Sequence, residues 1–266
     1  KAGSGAITHG APNSPGVPRA VSADTLLAKF NDLNSVKACF EAFPGEIAAI
    51  IIEPIQGAGG VILPKPGYLQ AVKARCEEVG ALMILDEIQT GFGRTGALFA
   101  HQDMGFKPDI IVMAKALGGG LPLGAFSSRS EVMDILSDKP ILGHITTFGG
   151  HAVCCAAGLA AFRKLRSSEL IEKVKEKESW LLRELKHPDI QKLRGKGLLY
   201  AMVLKDFETA DAVRRKALEM GLLTIGFLNI PNGLRISPPL TISETEMIEA
   251  CEVLLTALTD SLRSSE

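Results

Sequence analysis

The sequence predicts an α/β chain: a mostly parallel sheet first, then a smaller α+β part. Three observations carry this reading. Unbroken aliphatic runs ("EIAAIIIEPI", "ALMIL", "PDIIVMA") alternate with segments of helical spacing, and strands covered on both faces of a parallel sheet read as such runs. Each run delivers a charged residue at its carboxyl end, Glu53, Asp86 and Lys115 in turn, which is where such sheets hold ligands. From about Leu165 charged amphipathic segments mix with short strand-like runs. The expected division is a large unit over residues 1–160 and a small one over 161–266.

The elements follow in order. "KAGSGAITHGAPNSPGVP" is rich in Gly and Pro and reads as loop. "TLLAKFNDLNSVKACFEAF" predicts a short extended piece and then a helix capped by Asp32 or Asn34. "EIAAIIIEPI" is a buried strand ending at Glu53, and "GAGGVILPKPG" turns the chain. In "YLQAVKARCEEVG" the spacing of Leu69, Val72, Cys76 and Val79 is helical, and Gly80 closes the helix. "ALMIL", "PDIIVMA" and "LPLGAFSS" are further strands, and "HAVCCAAGLAAFRKL" is a long helix with an apolar face. In the second part "ELIEKVKEKESWLLRELK", "ETADAVRRKALEMG" and "ETEMIEACEVLLTALTDSL" read as helices, "LLYAMVL" and "GLRISPPL" as strands.

Composition excludes several classes. With 266 residues, 46% of them hydrophobic, the chain can bury a sizeable core. A net charge of -1 argues against a nucleic-acid partner held through its phosphates. No window approaches the roughly 18 apolar residues of a membrane span, and no basic-then-apolar leader opens the chain, so a cytoplasmic location is expected. Five cysteines without metal-ligand spacing read as reduced thiols, and the five histidines make no metal site. "GFGRTG" matches the G-x-G-x-x-G order of a dinucleotide fingerprint, but "DEIQT" separates it from the strand, so it reads as a turn. The chain opens with Lys1 rather than Met, and is expected to be part of a longer one.

Lys115 lies between "IIVMA" and "ALGGGLP". A lysine desolvated at a buried strand end becomes a nucleophilic amine suited to a Schiff base. The same pattern suits a lysine whose stem packs on the strand while its ammonium reaches water. Asp86 either caps a turn or sits beside the nitrogen of a pyridine ring that must stay protonated to draw electrons. Together, a strand-end Asp, a Gly-rich turn and a strand-end Lys suit an aldehyde cofactor held at both ends.

"IIEPIQGAGGVI", "MILDEIQTGFGRTG", "PDIIVMAKALGGGLPLGAF", "TTFGGHAVCCAAG" and "GLRISPPLTIS" resemble the class III, pyridoxal-phosphate-dependent aminotransferases, in the family's order along nearly the whole chain. The resemblance implies fold type I of the pyridoxal 5'-phosphate enzymes, with 1–160 as the cofactor-binding large domain and 161–266 as the small one. It also implies a homodimer when full length, with active sites at the subunit interface, and a transaminase that moves an amino group from an amino acid or ω-amine donor to an oxo acid. By the same resemblance Lys115 is the Schiff-base lysine and Asp86 the partner of the pyridine nitrogen. Ile88 packs on a ring face and Gln89 lies near the ring's phenolic oxygen. Thr147 reaches the cofactor phosphate of the other subunit, and Arg235 binds the substrate carboxylate, for which a planar fork is well shaped. Glu53 resembles the active-site glutamate of "EPIQG", with turn capping as its alternative.

Three departures matter. Ornithine- and aminobutyrate-type members carry a second glutamate where this chain has Ala58, so Arg235 lacks that partner. The opening stretch resembles glutamate-1-semialdehyde 2,1-aminomutases, which leaves an isomerase, or an inactive fragment, as the alternative reading. The family's Gly-rich phosphate turn and stacking aromatic are expected to precede Lys1, so the 266 residues alone are expected to bind cofactor weakly.

Overall fold

A computed structural model describes residues 18–137, 141 and 144–263. The aminomutase-like opening, residues 1–17, lies outside the described residues. The chain begins with α1 (Arg19–Ala23) and α2 (Leu33–Ala42). Asp32 caps α2, its carboxylate accepting from the amides of Asn34 and Ser35 at 3.1 and 3.2 Å. Next come β1 (Ala49–Ile52), α3 (Tyr68–Val79) and β2 (Leu82–Asp86). Gly80 ends α3 in a left-handed conformation, φ 74°, its amide returning to Cys76 and Glu77. β3 (Ile110–Met113), β4 (Ala125–Ser128), α4 (Ser130–Met133) and α5 (Ala152–Arg166) follow.

β1 to β4 form one sheet in that order. β1, β2 and β3 run parallel, whereas β4 returns antiparallel to β3. Only residues 114–124 join β3 to β4, and a parallel crossover needs a dozen or more. α2 and α3 cover one face, with Val36, Phe40, Leu69, Val72 and Cys76 against Met83 and Leu85.

Cover on both faces was the expectation, and the structure corrects it. β3 is half-buried along its length, three of four residues of β4 are exposed, and Ile51 of the edge strand β1 is 45% exposed. α5 packs on the 3-10 turn Lys115–Gly118 instead of the sheet, and Gly158 is its one buried residue. A Cβ there would come within 3.1 Å of Leu123, so the glycine permits the close approach.

The second part comprises α6 (Val174–Glu184), β5 (Lys192–Lys196), β6 (Leu199–Val203), α7 (Phe207–Glu219), β7 (Ile225–Gly226), β8 (Gly233–Ile236) and α8 (Glu244–Arg263). Its sheet is antiparallel throughout, in the order β5-β6-β8-β7. β5 and β7 are edge strands without apolar alternation, which explains why the pattern predicted only β6 and β8. Alternate residues of β6 point to opposite faces. Tyr200 and Met202 join the core built by α6, α7 and α8, with Leu181, Val213, Met247 and Leu258. Leu199 and Ala201 pack instead on Ile55 and Val61, from the turn that follows β1. One strand thus seats the second sheet on the first.

Candidate active site

Register brings the strand-end residues together. Ile52 pairs with Leu85, so Glu53 stands level with Asp86, and Asp86 pairs with Val112, three residues before Lys115. Asp86 and Glu87 then go to opposite faces. Glu87 is fully buried and accepts from Thr90 Oγ1 at 2.5 Å, from the amides of Ala100 and His101 at 3.1 and 2.9 Å, and shares a 3.0 Å bond with His101 Nδ1. It closes the turn from inside, leaving Asp86 for the site.

Asp86 is half-buried and accepts from the Ile88 amide at 3.0 Å. Burial holds its carboxyl above the usual carboxylate range, while the Ile88 amide and the Lys115 charge pull it back. Lys115 follows a strand that is half-buried rather than buried and is itself exposed, which fits the second of its two sequence readings, a lysine whose ammonium reaches water. Its backbone is left-handed, φ 52°, a conformation that costs a non-glycine residue about 1–3 kcal/mol and persists where the surroundings impose it. The glycines behind it allow the turn: Gly119, φ 58°, lies so close to Ala157 that a Cβ would meet its carbonyl oxygen at 2.6 Å.

Glu53 is buried and its Oε2 accepts from the Gly57 amide at 3.0 Å, capping the turn after β1. Gly57 in turn lies against the end of the Gln89 side chain, where a Cβ would sit 2.6 Å from Oε1. Ile88 and Gln89 are both half-buried on the turn leaving Asp86. Ala58 is buried in the same turn as Gly57.

Arg235 lies in the middle of β8, paired with Ala201 on one side and Ile225 on the other. Its guanidinium stands 5.1 Å over the Phe227 ring, and its Nε is buried with no hydrogen-bond partner among the described residues. Burial lowers its pKa, and the charge of Glu53 opposes that. The structure therefore brings Glu53, Asp86, Gln89 and Lys115 to one end of the first sheet and sets Arg235 within electrostatic reach of Glu53. Phe227 was missed in the sequence, where an aromatic in "GFLNI" carries no local signal. Thr147 is exposed in the turn before α5, whose Gly149 amide donates to Thr146 at 3.1 Å. Among the described residues no His/Cys/Asp/Glu cluster could hold a metal, and no helix is long and apolar enough to cross a membrane.

Among the described residues the donor set has three features of defined chemistry: an exposed lysine, a carboxylate with a raised pKa within reach of its charge, and a buried guanidinium N–H with no hydrogen-bond partner. An aldehyde-bearing pyridine and a carboxylate-bearing substrate fit them.

A family model described as "Aminotransferase class-III" matches residues 4–258. Among solved structures, the ornithine aminotransferase of Toxoplasma gondii is 32% identical with a TM-score of 0.83, over 95% of this chain and 58% of that one; PLP partly occupies that protein's active site. The N-acetylornithine aminotransferase of Stenotrophomonas maltophilia K279a is 34% identical, TM-score 0.78, over 90% and 63%. Ornithine aminotransferase from Plasmodium yoelii is 32% identical, TM-score 0.79, over 88% and 62%. The chain thus spans about three fifths of the length of these structures, with the same fold type I architecture. It belongs to the class-III aminotransferase family.

Proposed function

We propose that this chain carries the lysine and acid side of a pyridoxal-phosphate-dependent aminotransferase site. The donor would be an amino acid or ω-amine and the acceptor an oxo acid. The observation that carries the reading is Asp86 and Lys115 at the ends of adjacent parallel strands, within electrostatic reach of each other. When bound, the cofactor supplies a protonated pyridine conjugated to an aldehyde, an electron sink for the carbon that bears the amino group. Asp86 holds the ring proton, since an anionic carboxylate stabilises a cation beside it. Lys115 Nζ would hold the aldehyde end, and its free amine would carry a proton between the donor carbon and the aldehyde carbon. Ile88 supports a ring face, Gln89 donates toward the phenolic oxygen, and Arg235 grips the donor's carboxylate with Phe227 behind it.

Residues 1–160 then form the large domain and 161–266 the small one, although α5 runs unbroken across that boundary. Two copies form the working unit, with Thr147 of each serving the other's cofactor phosphate, and the reaction is placed in the cytoplasm. The matched structures described above are aminotransferases rather than mutases, which favours transfer between two substrates.

Borohydride reduction of the cofactor-loaded protein, followed by peptide mapping, tests the assignment. The pyridoxyl label is expected on Lys115, and Lys115→Ala should lose it together with about 10²–10⁴-fold of the turnover that a positioned proton carrier contributes. A label on another lysine would overturn the reading.

A further inference from the structure

The turn "GFGRTG" has no part in the site as described. Glu87 pins its stem, and its backbone closes on itself, Phe92 N donating to Leu98 O at 2.6 Å and Gly96 N to Gly93 O at 3.0 Å. At its tip Arg94 reaches the second sheet. Nη1 donates to Leu198 O at 3.0 Å and to Pro238 O at 2.5 Å, and the Leu198 amide answers to Arg94 O at 2.9 Å.

Pro238 lies three residues beyond Arg235, in the segment leaving β8. Two residues further on, Leu240 O accepts from Nζ of Lys177, a lysine of α6 that is 5% exposed. Gly93 packs on the same segment, since a Cβ there would meet Leu240 Cδ1 at 3.0 Å. The Arg235 segment is therefore gripped from two sides by cations bound to carbonyls. Burial lowers the Arg94 pKa, and among the described residues no carboxylate pairs with its charge. Neutral acceptors suit this place. Carbonyls satisfy the donors through charge-assisted bonds without setting an anion where Arg235 must attract one.

We propose that Arg94, seconded by Lys177, is a positioning residue for carboxylate-bearing substrates. It fixes the Arg235 segment against the turn that leaves Asp86, so that this turn sets the span between the carboxylate grip and the reacting end. The proposal rests on the reading of Arg235 given under Proposed function.

The test uses the complete gene product loaded with pyridoxal phosphate, with glutarate as the carboxylate probe. Arg94→Met should raise the calorimetric Kd for glutarate and the KM for an α-amino acid by at most about 10²-fold, the scale of a lost hydrogen bond to a charged group. kcat and cofactor absorbance should hold, and Arg94→Lys should recover part of the loss. Lys177→Met gives the same readout should Arg94→Met fail to fold. Unchanged glutarate binding in these variants, or a loss that tracks cofactor occupancy, overturns the proposal. Arg235→Lys separates the two levels. Glutarate binding that ignores Arg235 defeats the underlying reading as well, whereas a response to Arg235 alone defeats only the role of Arg94.

Discussion

Asp86 and Glu87 are adjacent carboxylates with different environments, and the difference is electrostatic. Glu87 is surrounded by donors, whereas Asp86 has one amide and the field of Lys115. Burial raises the Asp86 pKa above its unfolded value, so the folded state binds that proton more tightly. The stability from this group is therefore complete below the unfolded pKa and is lost as pH rises through the folded one. Asp86→Asn cannot ionise, yet its Oδ1 can keep the Ile88 bond. In cofactor-free protein it should melt with the wild type in acid and above it at neutral pH, while turnover of the loaded enzyme falls sharply. Equal melting at pH 7 would mean that the carboxylate is not desolvated. Arg235 yields a second prediction. Arg235→Lys should cost carboxylate-bearing donors about 2–5 kcal/mol and leave simple amines nearly unaffected; equal losses in kcat/KM would make Arg235 structural. The residue types of both sites were legible in the sequence because strand ends and "RISPPL" fix their chain positions. The sequence left two readings of Lys115 open, because its exposure depends on what covers β3 and β4, and a local run of apolar residues does not report that.

At the scale of elements, the turn after β1 and the turn after β2 meet face to face. Gly57 is the contact point, since a methyl there would collide with Oε1, Cδ and Nε2 of Gln89, all at the free end of a flexible side chain. Gly57→Ala should therefore move Gln89 rather than the backbone, changing stability by no more than about 1 kcal/mol. The absorbance of bound cofactor should shift as it does in Gln89→Ala, and the double variant should match Gln89→Ala alone, the non-additivity expected of touching residues. An additive double variant would show that the two turns act separately. Helices and inner strands were well predicted here because their periodicity or caps are local: Asp32 and Gly80 mark the end of an element in one residue each. The antiparallel return of β4 was missed, because strand direction follows from the length of the 114–124 link. The edge strand β5, "KLRGK", carries no apolar pattern, and its pairing to β6 is what makes it a strand.

At the scale of the molecule, apolar side chains gather uncovered around the turn before α5. Ile145, Phe148 and Val153 are 70%, 78% and 60% exposed in the turn before α5 and at its start, and His144 of the same turn stacks edge-on with Phe126 of β4 at 5.6 Å. Soluble monomers seldom leave apolar patches of more than a few hundred Å² to water, so this face is expected to meet a second copy. Thr147 sits among these residues, which ties association to the proposed phosphate contact. The two effects are separable because one depends on apolar area and the other on a single hydroxyl. In the complete gene product, Ile145→Ser with Phe148→Ser should lower the mass seen by light scattering from dimer to monomer, and cofactor occupancy should fall with it. Thr147→Val removes a donor but keeps shape, so it should weaken cofactor binding by about 0.5–1.5 kcal/mol, the net worth of one hydrogen bond, at unchanged dimer mass. A wild-type monomer with full occupancy would refute the shared site, and a Thr147→Val variant that binds cofactor normally would remove Thr147 from it.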